Sequence, residues 1–580
     1  MFNKYYQDEL LFLRDSGREF AEANPEAARF LAQPGSDPDV ERMLEGFAFL
    51  TAKLRQKLDD ELPEVLHSFT EMFWPHYLRP VPACAVMQFA PQSQVAAEVK
   101  AIPRGVQIDS VPVDGTRCRF ETCYDVNLLP LDVKEAELRR DNPARLTLTF
   151  NAPGKLPLDK LPFESVRLHL AGEPVVTRAL YVSLLRFVRR IVVRDVEVAG
   201  RSFELPPSAV VPVGFEEPEA VLRGPGPSFP GFRLLQEYFA APVKFMFLDL
   251  TGLNKVGGFA GSHSFAVEFE FTRLPEAMPP VSRANFLLNC APAVNLYRHD
   301  ADPVRLDPAR TEYTIRPAGA NPHHHEVFSV NRVWGLEVGT AQPRDFAPQF
   351  RLARGARRDE AFYHVRRRGA VNDRGTHLSI SFIEPEAPEA RKAIETVSIE
   401  LTCTNGQLPA RLEAGDIAAK TQNSPLFATF RNVGKPTPAL APPLQGDLLW
   451  RLAGHLSVNF LSLVSVDSLR AVVGLYNLRA RLDRQAEQAH ARLLEGIKAV
   501  RAQLAVHMLK GTPLRGLQVD LTLDEELLGG EGELYFFAAV LERFFAQYVT
   551  LNAFTRLKVT GAKFGGVFEW PARMGARVLL

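Results

Sequence analysis

Along residues 1–31, Phe2, Tyr5, Tyr6, Leu10, Leu13 and Phe20 fall on one side of a helical wheel, so this stretch predicts an amphipathic helix. Leu11 and Phe12 widen the apolar side beyond what a single groove needs. A helix apolar over so much of its circumference packs among several neighbours. A second helix is predicted over 37–73. Asp37 is placed to cap the first free N–H groups, Pro38 suits the first turn, and Asp39 and Glu41 suit the positive end of the dipole. Val40, Leu44, Phe47, Thr51, Leu54 and Leu58 then alternate steps of four and three, a short heptad-like seam flanked by Met43 and Leu50. Leu66, Phe69 and Phe73 carry the pattern to Pro75.

After Pro80 the period changes to two. Leu146, Leu148 and Phe150 mark one strand, and Val166, Leu168 and Leu170 another. Phe265, Val267, Phe269 and Phe271 mark the clearest, and Leu378–Phe382 and Val397–Leu401 repeat it. Such alternation describes sheets with one face buried and one wet. Helices interrupt the strands near 178–188 and 231–240. Stretches rich in Pro and Gly at 205–231 and 436–446 mark boundaries. From 446 helices return: Leu448, Leu449, Leu452, Leu456, Phe460 and Leu463 share a face, and Asp467 is expected to cap the next helix, through Leu478. Residues 479–510 begin Ala- and Arg-rich and read next as a possible strand. Val519, Leu521 and Leu523 form a strand, Leu534–Val549 a strongly apolar helix, and two more strands are expected at the end. The expected fold is α+β and multidomain: a helical segment 1–80, β-rich domains at 81–205 and 206–440, and an α+β region at 441–580.

Length and composition narrow the picture. A chain of 580 residues exceeds one ordinary core. With 46% hydrophobic and 23% charged residues it has the make-up of a folded protein. Formal net charge is zero, which removes the simplest case for a nucleic-acid or anionic-membrane partner. Residues 1–80 carry 15 acidic and 9 basic side chains, leaving the remainder slightly basic. Five cysteines, Cys84, Cys118, Cys123, Cys290 and Cys403, are too sparse for a disulfide framework. The opening residues carry charges within their apolar stretch and lack a basic leader, so no signal peptide is expected, and no run is long and apolar enough to span a membrane. The expectation is a cytoplasmic protein.

A search for chemistry returns little. His323-His324-His325-Glu326 invites a metal reading, but Ser329 stands where the zinc-protease pattern requires a second histidine. Neighbouring histidines also point different ways, so a surface loop after the Asn321-Pro322 turn is the expectation, with no bound metal or cofactor. Cys118 and Cys123 have no second pair to complete a zinc set and read as buried, inert thiols. Lys510-Gly511-Thr512 and Gly261-Ser262-His263-Ser264 match neither a phosphate-binding loop nor a nucleophile elbow. Carboxylate pairs such as Asp59-Asp60 read as solvated helix surface. The arginines at 186, 189, 190 and 194, and at 366–368, read as ion-pairing or plain surface rather than a nucleic-acid module. No catalytic residue is assigned.

The ordered aromatic and acidic segments resemble the TssF family (also VasA or ImpG) of type VI secretion baseplate subunits. The resemblance is carried by Tyr5–Arg14, Glu19-Phe20-Ala21 with Asn24-Pro25, Asp37–Leu50, Leu58–Glu64 and Pro75–Pro80. It continues through Phe229–Phe239, Asn289–Leu296, Cys403-Thr404-Asn405, Leu449–Leu452, Val540–Phe545 and Asn552–Arg556. It implies a structural role: a wedge of two copies with one TssG, joined to TssK and TssE around the VgrG hub. Such a baseplate docks at the inner-membrane complex and seeds the sheath, without membrane insertion by this chain. A wedge protein of a contractile prophage or extracellular particle is the alternative, and a metal enzyme using His323–His325 a remoter one. Under the family reading, Phe2, Tyr5, Tyr6, Leu10, Leu13, Phe20, Val40, Leu44, Phe47, Leu54 and Leu58 are the candidate partner-binding residues. The segments at 229–239 and 540–556 are expected to add contacts of their own.

Overall fold

The computed structural model describes residues 6–7, 9–14, 16, 38–92, 99–153, 156–222, 230–307, 309–319, 321–337, 343–349, 361–369, 375–383, 394–444, 452, 465–509, 512–549 and 553–575. The chain divides into two units, Met1–Trp74 with Pro443–Ser457, and Pro75–Pro442 with Val458–Leu580.

The first unit is built on a 36-residue helix, Pro38–Phe73, with Asp39 and Glu41 in its first turn. Residues 9–14 are also helical. The capping position of Asp37, the side chains of Val40, Leu54, Leu58, Asp59 and Asp60, and Phe2, Tyr5 and Phe20 lie outside the described residues.

The second unit is β-rich. Its described strands form sheets that are mostly antiparallel. In the six-stranded sheet, Cys84–Pro91 lies between Cys290–Val294 and the edge strand Ala428–Asn432. In a five-stranded sheet, Ser264–Phe271 sits centrally between Val188–Asp195 and Arg145–Asn151, and Asp132–Arg139 forms one edge. Phe265, Val267, Phe269 and Phe271 are buried while Glu268 and Glu270 are only half-buried, as the alternation requires. A four-stranded sheet ends at Phe286–Leu287, and a larger sheet carries Glu326–Glu337, Thr376–Ile383 and Ile394–Thr404. Strands on both sides of the Pro- and Gly-rich 205–231 stretch share these sheets. Turn residues mark where the chain reverses, and say nothing about which strand it returns to pair with.

Near the C-terminal end, Thr512–Leu523 and Ala553–Gly561 pair in parallel, joined through the helix Glu531–Ala546. Val519, Leu521 and Leu523 are buried. The ambiguous 479–510 stretch resolves into a helix, Arg484–Gly496, and a long edge strand, Ile497–Leu509. Where two more strands are expected at the end, the structure has three: Ala553–Gly561, Val567–Glu569 and a two-residue Arg573–Met574.

The helix Val466–Tyr476 corrects one capping assignment. Ser465, not Asp467, is its N-cap: Ser465 is extended and its Oγ accepts the Ser468 N–H at 3.1 Å. Asp467 sits inside the first turn, where it complements the dipole without capping. Of the apolar face expected over 448–463, only Leu452 is described, helical and buried.

Candidate interaction surface

The Pro38–Phe73 helix turns a different side inward from the one its largest residues draw. Ala48 and Ala52 are fully buried, and Leu44 and Thr51 are half-buried. The hydroxyl of Thr51 donates back to the carbonyl of Phe47 at 2.9 Å. An ion pair from Arg14 to Glu41 ties the helical 9–14 stretch to the same inward side. His67 Nε2 lies 3.3 Å from the carbonyl of Leu444, and burial lowers its pKa. The outward side carries Met43, Phe47 and Leu50, with exposures of 72%, 62% and 60%. These three sit at i, i+4 and i+7 and form one stripe. Leu11 and Phe12 are likewise exposed, whereas Tyr6, Leu10 and Leu13 are half-buried. The heptad-like seam is therefore split: Leu44 belongs to the inner side and Phe47 to the outer.

Apart from Leu449–Leu452, which falls in the first unit, the later segments that carry the family resemblance belong to the second unit. The helix Pro230–Ala240 packs on Glu531–Ala546. Phe232 stacks on Tyr476 with centroids 5.0 Å apart and meets Phe544 at 5.8 Å, while Tyr238 meets Phe536 and Phe537. Glu237 and Lys244 form a wholly buried ion pair at 2.5 Å, and desolvation lowers the lysine's pKa. The other carboxylate oxygen of Glu237 accepts the N–H groups of Val221 and Leu222 at 2.8 and 2.9 Å. Glu533 accepts from Arg178 at 2.8 Å and from the Tyr238 hydroxyl at 2.6 Å. A Cβ at Gly532 would lie 2.7 Å from the backbone of Arg178, so only glycine allows this approach. Over their described residues, the aromatics of 229–239 and 540–556 pack against one another and against Tyr476 and Phe536.

Asn289–Leu296 and Cys403–Asn405 also act internally. Buried Asn295 accepts the Thr404 hydroxyl and the Asn405 N–H, both at 2.7 Å, and donates to the Arg119 carbonyl at 2.7 Å. Asn405 in turn donates to the His324 carbonyl at 3.1 Å. The knot couples the six-stranded sheet to the strand ending at Thr404. Asn289 has φ +56° and clamps both the N–H and the carbonyl of Leu129. Sequence reasoning missed these asparagines as structural ties; a short polar residue inside an apolar run was the available signal.

The conspicuous polar clusters have internal roles too. Among the described residues, no three His, Cys, Asp or Glu side chains are arranged to hold a metal ion. His323 is exposed, and His324 and His325 are half-buried. His324 Nδ1 meets the Thr116 hydroxyl at 2.7 Å, and His325 Nδ1 meets the Tyr297 hydroxyl at 2.5 Å while stacking on His299 at 4.6 Å. Burial, with His299 and Arg119 nearby, lowers the His325 pKa to about 4. The 3-10 turn Pro322–His324 has no buried residue, and in it and beside it the half-buried His324 and His325 bond side chains on strands distant in sequence. All five cysteines are buried and free, and burial raises Cys118 to about 11 and Cys84 and Cys403 to about 12. Arg190 pairs with Glu204, Arg194 with Glu268 and Arg368 with Glu312, and Arg367 donates to the carbonyls of Val327 and Phe328. No helix among the described residues is long and apolar enough to cross a membrane.

A chain whose polar clusters tie its own sheets together, while large apolar side chains stand exposed along a helix, is built as a subunit of a larger assembly. Comparison with known proteins gives that assembly. The family model described as type VI secretion system, TssF, matches residues 1–577, and the chain belongs to this family. It is 30% identical to the type VI secretion system component TssF1 of Pseudomonas aeruginosa, over 99% of this chain and 98% of the relative. It is similar to a chain of the TssK-TssF-TssG baseplate subcomplex solved by cryo-electron microscopy, with TM-score 0.75 and 30% identity over 93% of this chain and 100% of the other. It is also similar to a chain of the baseplate complex of a type VI secretion system, with TM-score 0.64 and 26% identity over the full length of both. Family and structural neighbours are structural baseplate components.

Proposed function

We propose that this chain is a wedge subunit of a type VI secretion baseplate, assembling with TssG and TssK in the cytoplasm and catalysing no reaction. The supporting observation is likeness over nearly its whole length to a chain of the TssK-TssF-TssG subcomplex, at 30% identity. In this reading two copies join one TssG, and the wedge engages TssE and the VgrG hub, docks at the cytosolic face of the inner-membrane complex, and seeds the contractile sheath. The helical segment 1–80 supplies the main contact, with the outward stripe of Met43, Phe47 and Leu50 at its centre. Obligate interfaces resemble a core cut in half, which fits large apolar side chains exposed in the separate chain. The test is co-expression of the tagged chain with the TssG and TssK of its own cell, followed by size exclusion. A stable ternary complex is expected. A chain that elutes alone while TssG and TssK associate would overturn the proposal.

A further inference from the structure

The hairpin of Ile497–Leu509 and Thr512–Leu523 carries an apolar face that the chain leaves open. Residues paired across a sheet share a face, and so do alternate residues along a strand. Val500, Leu521, Val559 and Phe568 stand in one such row across four strands. Tyr535 of the helix Glu531–Ala546 packs on that row, with its ring 5.2 Å from Phe568 and 5.4 Å from Trp570. Followed two residues at a time toward the turn, the same face runs through buried Val519 to half-buried Leu517 and then to Leu504, Val506 and Met508. These three are 88%, 63% and 60% exposed, and Leu504 is the most exposed large apolar side chain among the described residues.

The opposite face of the sheet is different. It carries Gln503, Gln518, Asp520 and Arg556, and its buried ring, Phe554, is met by His507 at 5.6 Å. The open stretch is therefore the far end of a helix-on-sheet layer whose own helix does not reach it. Two paired strands give it a width of about 10 Å, the diameter of one helix, and Leu504 to Met508 span about 13 Å, roughly two and a half helical turns. Ile497–Leu509 also ends its sheet, but a strand added beside it would satisfy backbone groups and leave the three side chains standing in water. Only an element laid across the face removes them from it. The joining residues, Lys510 and Gly511, are not large apolar ones, so the stripe lies along the hairpin and not at its tip. Arg515, exposed on the same face opposite Val506, sets the charge preferred at the rim.

We propose that this face docks an amphipathic helix contributed by another protein, with an aliphatic stripe against Leu504, Val506 and Met508 and a carboxylate at its rim facing Arg515. A helix so placed continues the layer that the helix Glu531–Ala546 begins on the same sheet face. The contact lies in the second unit and is not one that the baseplate reading requires.

The test uses the purified full-length chain and a fluorescein-labelled peptide of leucine, alanine and glutamate, with its leucines at i, i+3, i+4 and i+7, read by anisotropy. A scrambled peptide of the same composition, an alternating leucine–glutamate peptide that favours a strand, and vesicles of phosphatidylcholine and phosphatidylserine are the competing probes. The patterned peptide is expected to bind and to gain helical circular dichroism. L504E/M508E is expected to weaken binding at least about tenfold, because carboxylates then face both the apolar stripe and its glutamates. L504S, a milder change at a side chain 88% exposed, guards against misfolding and is expected to weaken binding in the same direction. L426E, at a leucine 78% exposed elsewhere in the unit, is expected to bind as the unaltered chain does. Absence of patterned-peptide binding, binding without helical gain, equal binding of the scrambled peptide, tighter binding of the alternating peptide or the vesicles, unaltered binding by both hairpin variants, or equal loss with L426E would each overturn the proposal.

Discussion

Phe47→Asp separates a binding role from a folding role, because Phe47 is 62% exposed and its removal leaves no cavity in the helix packing of its own unit. Full burial of a Phe, Leu or Met side chain is worth roughly 1.5–3 kcal/mol, and nearly two-thirds of that is still available at Phe47. The gain on docking is therefore about 1–2 kcal/mol for Phe47 and about 3–6 kcal/mol for the stripe of Met43, Phe47 and Leu50. At about 1.4 kcal/mol per factor of ten, the stripe contributes on the order of a hundred- to ten-thousandfold in affinity. An aspartate at position 47 forfeits its share and places a carboxylate in an apolar interface, a further penalty of a few kcal/mol. The assay is capture of TssG by the tagged variant, alongside thermal unfolding of the free chain. Loss of capture with a melting temperature within about 2 °C of the unaltered chain is expected, as for other surface substitutions. Glu45→Lys, exposed on the far side of the same helix, is the matched control and should bind normally. Capture of TssG by Phe47→Asp at the unaltered ratio would refute the reasoning, and so would a collapse of its melting temperature.

Three further outcomes follow from the second unit. Lys244→Met leaves Glu237 buried without its counter-charge, so the unit should lose about 3–5 kcal/mol, read as an earlier urea transition. Gly532→Ala drives a methyl into the Arg178 backbone and should cost about 1–3 kcal/mol by the same measurement. Burial of Glu542 raises its pKa to about 7 despite the adjacent Arg573. A carboxyl raised on folding adds stability that is fully present below about 4.5 and is lost as pH rises through about 7. Its share is on the order of 3 kcal/mol, and Glu542→Gln should flatten the dependence of melting temperature on pH across that window.

The elements themselves were readable because their periods differ. The alternation at Phe265–Phe271 and Val397–Leu401 and the helical spacing over 38–73 correspond to observed strands and helix. Capping was less readable: Ser465 and Asp467 are both good caps by type, and only the backbone angles at Ser465 choose between them. The histidine cluster was readable as unsuited to a zinc-protease site but not as a tie, since Tyr297 and Thr116 are far away in sequence.

The amino-acid sequence by itself determined that this is a two-period chain, helical at its start and β-rich through its middle, with an apolar stripe too wide for a lone helix. Its ordered segments determined the family. Tertiary structure alone decided which side of the long helix is inner, burying Ala48 and Ala52 while Met43, Phe47 and Leu50 face out. Hydrophobicity ranks phenylalanine above alanine, whereas close helix packing selects for small size, and only the neighbouring elements determine which criterion applies at each position. Tertiary structure likewise decided that Phe232, Glu237 and Phe544 serve an internal core. Such a core forms only when separate stretches of chain are brought together, and no local pattern encodes that meeting.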